Sequence, residues 1–273
     1  MTTLEVAAPL DDTRPPRTAA RRAFQAILWR DLLVTGKELW VLLAQVALMP
    51  LFMLFIFAKV LAGQGYISAG YGNLLLPGII AMSALMTALQ SVAFPLAMEF
   101  GWSNEIEDRL LAPLPTELVA VEKLIIAAIR GLFAAVIMYP VGALVLGRAP
   151  WHPAGLGLLV ASILLGCWVG AGIGLTIGTL VPPAKIGIMF GLVLTPLMFT
   201  GATQYPWMQL DRLRWFQIVT AANPLTYCAE GVRGAMVPGV PHIAPWICVA
   251  VLLFAAVVFT GTGIRSFRRR AFS

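Results

Sequence analysis

Residues 154–181 read AGLGLLVASILLGCWVGAGIGLTIGTLV, a run of 28 residues without a charged side chain. A helix needs about 20 apolar residues to cross the hydrocarbon core of a bilayer, which is roughly 30 Å thick. The run therefore predicts a membrane-spanning helix.

The composition of the whole chain agrees with this prediction. Hydrophobic residues make up 59% of the 273 residues and charged residues only 12%, whereas soluble proteins average roughly 45–50% and about 25%. A water-soluble globule needs more charge than this to cover its surface. The composition excludes an ordinary cytosolic enzyme, a disordered protein and a disulfide scaffold, and it indicates a polytopic membrane protein.

Four glycines recur at a spacing of four within the run: Gly166, Gly170, Gly174 and Gly178. This spacing places them on one face of a helix, where the missing side chains allow another helix to approach closely. We predict a helix-packing face here. The partner helix belongs either to the same chain, which we favour, or to a second chain.

Five further apolar runs complete the pattern and predict an all-α membrane protein with six transmembrane helices. A cytoplasmic segment (residues 1–38) precedes the transmembrane domain (39–264), and a basic cytoplasmic tail (265–273) follows it. The predicted spans are residues 39–61, 74–98, 124–147, 154–181, 186–203 and 243–264.

The net charge of +6 is concentrated at the two ends of the chain. Basic residues that flank apolar spans mark the cytoplasmic side of a bilayer, and six spans place both termini on that side. We expect residues 1–37 not to be a cleaved signal, because the first apolar run starts late and is long. The distribution also argues against a nucleic-acid partner. The flanking basic residues are Arg14, Arg17, Arg21, Arg22, Arg30, Lys37, Arg265, Arg268, Arg269 and Arg270.

The segment from Arg21 to Leu39 predicts an amphipathic helix before the first span. Its apolar side chains share one helical face, and its basic side chains lie elsewhere. Such a helix suits the cytoplasmic interface of a membrane, and the alternative is a cytosolic helix docked on a partner. The apolar face consists of Phe24, Ile27, Leu28 and Leu32.

The connection between the second and third spans is rich in acidic residues. Residues 99–117 hold five of the 13 acids in the chain. Asn104 with Glu107 is typical of a helix cap, and Pro113 and Pro115 end the helix. We predict a short cytoplasmic helix that docks on a partner, with a plain solvated turn as the alternative. Carboxylate catalysis is disfavoured because no histidine lies nearby.

The segment from Thr200 to His242 is too polar to cross a membrane, but it is rich in tryptophan and tyrosine. These residues prefer the headgroup level of a bilayer. Irregular backbone at membrane depth must be covered by protein or reach water. We therefore predict a re-entrant or interfacial hairpin on the outer side, before the last span.

Two sets of residues carry a family resemblance: Glu107–Leu114 with Glu122 and Lys123, and Gly201–Pro206 with Asn223–Tyr227, Glu230 and Arg233. Given these motifs in this order among six spans, the whole chain resembles the permease subunit of type-2 ABC exporters. That group includes the daunorubicin-resistance-type, nodulation-type and polysaccharide permeases. The lead-in Asn104-Glu105-Ile106 departs from the glycine–threonine pattern that is usual in the family.

The resemblance implies a dimer of permeases, identical or related, bound to two ATP-binding cassette subunits in a bacterial-type inner membrane. The helix before the first span would be the interfacial elbow. The coupling helix, which contacts the ATPase, would comprise Ser103, Asn104, Glu105, Ile106, Glu107, Asp108, Arg109, Leu110 and Leu111. The outer gate would comprise Gly201, Tyr205, Pro206, Trp207, Pro224 and Tyr227.

The sequence contains no phosphate-binding loop of the form G-x-x-x-x-G-K-[ST]. We therefore expect that the chain is not an enzyme and that ATP and Mg are held by a separate subunit. The three cysteines lack metal-ligand spacing. We assign no catalytic, cofactor-binding or metal-binding residue to the chain.

Arg130 is the one charged residue well inside a predicted span. Intramembrane ions are functional candidates, but Arg130 lies close enough to the cytoplasmic end to snorkel or to pair with Glu99. Methionine and phenylalanine side chains in the first span offer a soft wall for an amphiphile. The candidate cargo path consists of Arg130, Met49, Phe52 and Met53.

Together these features predict the permease of an ATP-driven exporter for hydrophobic or amphiphilic, drug-like or lipid-like molecules. A lipid-linked glycan or polysaccharide is the alternative cargo. A membrane-embedded lipid-modifying enzyme is disfavoured because no acid or histidine cluster lies at the membrane surface. A passive channel or secondary carrier is a third alternative, and a proton- or sodium-coupled carrier is disfavoured because the spans lack a central acid or histidine.

Overall fold

The computed structural model describes residues 17–37, 48, 50–68, 70–100 and 115–271. Within these ranges the chain folds into helices joined by turns, which confirms the all-helical fold class. The last turns of α2 are π-helical, and short 3-10 turns precede α5, α6 and α7. The helices are α1 (Arg17–Lys37), α2 (Pro50–Leu61), α3 (Tyr71–Met98), α4 (Thr116–Leu146), α5 (Leu156–Leu180), α6 (Ile186–Phe199), α7 (Arg214–Ala221), α8 (Pro224–Met236) and α9 (Pro245–Ala271).

Four of the described helices are long and apolar enough to cross a membrane, namely α3, α4, α5 with the turn before it, and α9. The helices α2 and α6 are apolar but shorter. Residues 38–47 and 49, which belong to the first predicted span, lie outside the described residues. The long helices indicate a multi-pass membrane protein, and the count of six spans stays a prediction.

Helix α3 is the centre of the bundle and is buried along most of its length, because α4, α5 and α8 pack around it. The glycines of α5 allow the closest approach. A Cβ atom on Gly170, Gly174 or Gly178 would come within 3.0 Å of a backbone oxygen of α3, whereas Gly166 faces Cys228 of α8. The helices that meet this glycine face therefore lie in the same chain.

The helix ends define two opposite ends of the bundle. We call the end that carries the basic last turn of α9, Arg268–Arg270, the basic end. There, Lys123 of α4 pairs with Glu99, which follows α3, and Thr179 of α5 donates to Ser266 of α9. At the opposite end, the turn after α6 meets the start of α3. The helices α3, α5 and α9 therefore end at the basic end, and α4 starts there.

Helix α1 packs against α4. Its exposed side carries Trp29, Leu33 and Val34. The four residues of the predicted apolar face are half-buried, on the side of the buried Thr35, and the place of this helix at the membrane interface stays a prediction. The apolar face is thus turned toward the protein because Thr35 is hydrogen-bonded to α4. These half-buried residues are Phe24, Ile27, Leu28 and Leu32.

Candidate functional site

Two opposite charges, Glu230 and Arg233, lie one turn apart on α8. The helix begins at Asn223, whose side chain accepts a hydrogen bond from the Leu225 N–H at 2.9 Å. Pro224 occupies the first helical position, where its fixed φ is suited to a helix. Because α3, α5 and α9 all pack against α8, both charged side chains are completely buried.

The Glu230 carboxylate collects donors from three parts of the chain. Its Oε1 atom pairs with Arg233 Nη1 and accepts a hydrogen bond from the Trp207 backbone N–H at 3.0 Å. Its Oε2 atom accepts from the Ile243 backbone N–H at 3.2 Å. A buried charge is tolerated when it is paired and hydrogen-bonded, and these contacts meet that condition. The carboxylate thus joins α8 to the turn before α7 and to the start of α9.

The Arg233 guanidinium reaches in the other direction. Its Nη2 atom donates to Ala202 O at 2.8 Å and to Thr203 O at 3.3 Å, and its Nε atom donates to Leu74 O at 3.4 Å. The planar fork of guanidinium donors allows one side chain to contact several acceptors at once. We call Glu230, Arg233 and the backbone groups that they contact the polar knot.

The turn at residues 200–206 fits closely over α3. A Cβ atom on Gly78 would come within 3.0 Å of Thr203 O, so this approach requires glycine. Ala202 adopts a positive φ of 50°, which costs energy for a residue with a side chain and persists only where the surroundings hold it. The Tyr71 hydroxyl adds a hydrogen bond to Gln204 O at 2.5 Å. The knot and these contacts fix the turn in one conformation.

The six residues predicted for the outer gate all lie at this end of the bundle. Trp207 joins the knot through its backbone N–H, and its indole Nε1 donates to Gln217 O of α7 at 3.1 Å. Tyr205 and Tyr227 donate to backbone carbonyls at 2.8 Å. The remaining three are Gly201, which contacts Leu225, Pro206, which precedes the turn before α7, and Pro224, which begins α8.

The residues predicted for the outer gate do not include Glu230 and Arg233, whose contacts join the segments at this end of the bundle. Glu230 and Arg233 are the only charged residues between Trp215 and Ile264, and they are three positions apart. An isolated charge in an apolar interior is expensive, so two lone opposite charges at helical spacing indicate a buried pair. That signal was available in the sequence.

At the basic end, the predicted coupling helix, residues 103–111, lies outside the described residues. Residues on either side of this helix are described, and we call them its two stems: Glu99 and Phe100 after α3, and residues 115–123 at the start of α4. The Lys123 Nζ atom lies 2.7 Å from Glu99 Oε2, and both side chains are nearly buried, at 11% and 12% exposure. This ion pair joins the end of α3 to the first turns of α4.

Among the described residues, Arg130 contacts α1. Its Nε and Nη2 atoms both donate to Thr35 Oγ1, at 3.0 and 2.9 Å. The expected pairing with Glu99 is wrong, because Lys123 occupies that carboxylate. Lys123 precedes Arg130 on α4 by seven residues, about 10 Å of helix, and it therefore lies nearer to Glu99.

The described members of the candidate cargo path lie on two helices, Phe52 and Met53 on α2 and Arg130 on α4. Phe52 on α2 is 55% exposed, and Met53 Sδ lies 4.0 Å from the Gln204 amide near the polar knot. Arg130 contacts α1, and Met49 lies outside the described residues. The cargo path therefore stays a prediction.

The sequence model of one protein family, the ABC-2 type transporter, matches residues 22–237 of the chain. The match covers most of the chain, from α1 to α8, and it includes both the acidic connection (residues 99–117) and the Glu230–Arg233 pair of the polar knot. No curated protein matches the chain.

Proposed function

The chain belongs to the ABC-2 type transporter family, and we propose that it is the permease subunit of an ATP-driven exporter. Family membership makes the chain a membrane permease and not the ATPase itself. The match to residues 22–237 carries the proposal, because it spans the candidate membrane helices before α9 and most of the two loops to which a function is assigned.

ATP and Mg would be held by two separate ATP-binding cassette subunits. The lack of a phosphate-binding loop in the sequence supports this division. Closure of those subunits around nucleotide would move the predicted helix at residues 103–111, and its two stems would pass the movement into the bundle. The ion pair between Glu99 and Lys123 supports this role, because it makes the stems move together.

The polar knot supports a gate at the outer side of the membrane. In the described structure, Arg233 holds the turn at residues 200–206 against α3 and α8. Opening would require Arg233 to release the Ala202 and Thr203 carbonyls. Nucleotide would favour the open state only through its stronger binding to that state.

The basic end of the bundle would face the cytoplasm in a bacterial-type inner membrane. Lys123 and the basic residues at the end of α9 support this orientation. The helices α2 and α6 would complete six spans. Phe57 of α2 packs on Tyr71 at the start of α3, with ring centroids 6.1 Å apart, as expected for a helix that reaches the outer side.

A second permease would pack against α6. This helix has few contacts within its own chain, and its exposed side carries Gly187, Gly191 and Thr195 at a spacing of four. No atom lies within 4 Å of a Cβ built on either glycine. In membranes, faces of small residues at this spacing favour close packing with another helix.

Cysteine cross-linking tests the dimer. Gly191→Cys should form a disulfide-linked dimer in native membranes, whereas Val136→Cys, on an exposed position of α4, should not. The native cysteines are buried and should not interfere. Equal cross-linking of the two variants would contradict a homodimer through α6.

We place hydrophobic or amphiphilic molecules, drug-like or lipid-like, as the cargo. Many large apolar side chains of the described spans are exposed, including Phe133, Leu192 and Phe254. A surface of this kind suits a cargo that enters from the lipid. A lipid-linked glycan remains the alternative cargo.

Co-purification tests the function itself. The tagged chain, extracted from its native membrane, should carry with it a subunit that hydrolyses ATP. Leu110→Asp should reduce recovery of that ATPase activity by at least about tenfold, because it places a charge in the predicted docking face. Leu213→Asp, the same change at an exposed position near the opposite end, should leave the activity unchanged. Recovery of the chain without ATPase activity would refute the proposal.

A further inference from the structure

The last turns of α9 lie against both stems of the acidic connection. Phe267 is fully buried, and its ring packs edge-on against Phe100 at a centroid distance of 5.6 Å. The Arg270 guanidinium lies 5.8 Å from the centre of the same Phe100 ring. Arg268 approaches Glu117, in the first turn of α4, at 3.5 Å. A displacement of either stem therefore acts on α9 directly.

The other end of α9 adjoins the polar knot. The helix is continuous over 27 residues, about 40 Å at 1.5 Å per residue. Two residues before its start, the Ile243 N–H donates to Glu230 Oε2 at 3.2 Å. Helix α9 thus connects the base of the acidic connection to the carboxylate that holds the gate.

Helix α3 also joins the two ends, but it is poorly suited to move. Backbone of α5 and of the 200–206 turn packs so closely on α3 that Gly78, Gly170 and Gly174 have no room for a side chain. Packed interiors resist displacement because each contact must be remade. Helix α3 is therefore the fixed part of the bundle, and another element moves relative to it.

Helix α9 is less enclosed than α3, although it also packs closely on α5, where Gly172 lies against Phe259 and Gly263 lies against Leu175. Only 28% of its most apolar window is buried, against 78% for α3, so most of its surface faces the space that lipid would fill. Its contact with α5 includes hydroxyl groups that also have acceptors in their own helix. Thr179 Oγ1 donates to Ser266 at 2.8 Å and to Leu175 O at 2.9 Å, and Ser266 donates to Thr262 O. Such groups stay hydrogen-bonded when one helix slides along the other.

We infer that α9 transmits movement of the acidic connection to the polar knot, with Phe267 as the positioning residue at its basic end. The inference deepens the proposed function and rests on it for the source of the movement. The mechanical connection itself is a property of this chain alone. It can therefore be tested without the ATPase.

Hydrogen exchange of the full chain in lipid nanodiscs tests the connection. Phe267→Ala should speed exchange about fivefold in segments 200–210 and 237–247, at the far end of α9, an effect within the usual range of coupling between distant sites. Phe254→Ala, the same change at a 71% exposed position of α9, should leave both segments unchanged. A purely structural role for Phe267 would speed exchange only near the basic end, and that result would overturn the inference. Equal effects of the two variants would also overturn it.

Phe267→Leu covers the case in which the alanine variant does not fold, since leucine keeps most of the buried volume. It should give a smaller increase, about twofold, in the same two segments. In the complex with its ATPase, it should retain ATP hydrolysis but lose any nucleotide-dependent change in segment 200–210. A wild-type complex without such a change would refute the proposed function, while the comparison of Phe267 and Phe254 variants would still decide the role of α9.

Discussion

Replacing Arg233 by methionine should destabilise the protein by about 3–5 kcal/mol, since it leaves a buried carboxylate without its cation. The Glu230 carboxylate is fully buried, and its remaining partners are the backbone N–H groups of Trp207 and Ile243. The turn at residues 200–206 loses its two hydrogen bonds to the guanidinium at the same time. The measurement is thermal or denaturant unfolding of the purified permease in lipid.

Two variants separate the effect of charge from that of side-chain volume. Arg214→Met, at an exposed position on α7, should change stability by less than about 0.5 kcal/mol. In Glu230→Gln with Arg233→Met, no buried charge remains and an acceptor oxygen is kept, so much of the lost stability should return. If the double variant were as unstable as Arg233→Met alone, the unpaired carboxylate would not be the cause.

Replacing Gly174 by valine should prevent normal assembly of the bundle. A Cβ atom at this position would overlap the Leu89 carbonyl oxygen of α3, and backbone cannot rotate away as a side chain can. The two central helices would have to separate, and overpacking of this kind costs about 1–3 kcal/mol or more. We expect a severe loss of monodisperse protein and a lower melting temperature in what remains.

Gly157→Val is the matched control, because Gly157 lies on the same helix with no atom near its Cβ. It carries the same helix-propensity cost and should assemble normally. Normal assembly of the Gly174 variant would contradict the close contact between α3 and α5.

Opening of the proposed gate has a definite energetic cost on this account. Release of the turn at residues 200–206 breaks two hydrogen bonds from Arg233 and one from Tyr71, and a hydrogen bond to a charged group contributes about 1.5–3 kcal/mol. The ion pair with Glu230 lies within α8 and need not break. Glu230 and Arg233 can therefore stay paired while the turn moves away from them.

The sequence predicts the features that depend only on residues close together in the chain. Gly170, Gly174 and Gly178 repeat at helical spacing, so a close helix contact follows from the pattern alone. Which helix fills that face depends on how the chain folds back, and the pattern is silent on it. The structure assigns α3.

Other features depend on contacts between distant residues, and sequence patterns describe those poorly. The apolar face of α1 suits a lipid interface and a protein surface equally well, and its contact with α4 through the Thr35–Arg130 hydrogen bonds is visible only in the structure. Glu99 had two basic candidates on α4, and helical rise decides in favour of Lys123. The polar knot draws on backbone groups from four segments, none of which a side-chain pattern reveals.

The most direct test of the central claim asks whether ATP on one side of the membrane opens the knot on the other. Thr203→Cys places a thiol at a position that is 2% exposed, and a membrane-impermeant maleimide added outside reports its accessibility. The account predicts little labelling without nucleotide and strong labelling when the complex is trapped with ATP, while exposed Trp215→Cys is labelled in both states. Labelling of Thr203→Cys that ignores nucleotide, or that responds to it without the ATPase subunit, would contradict the account.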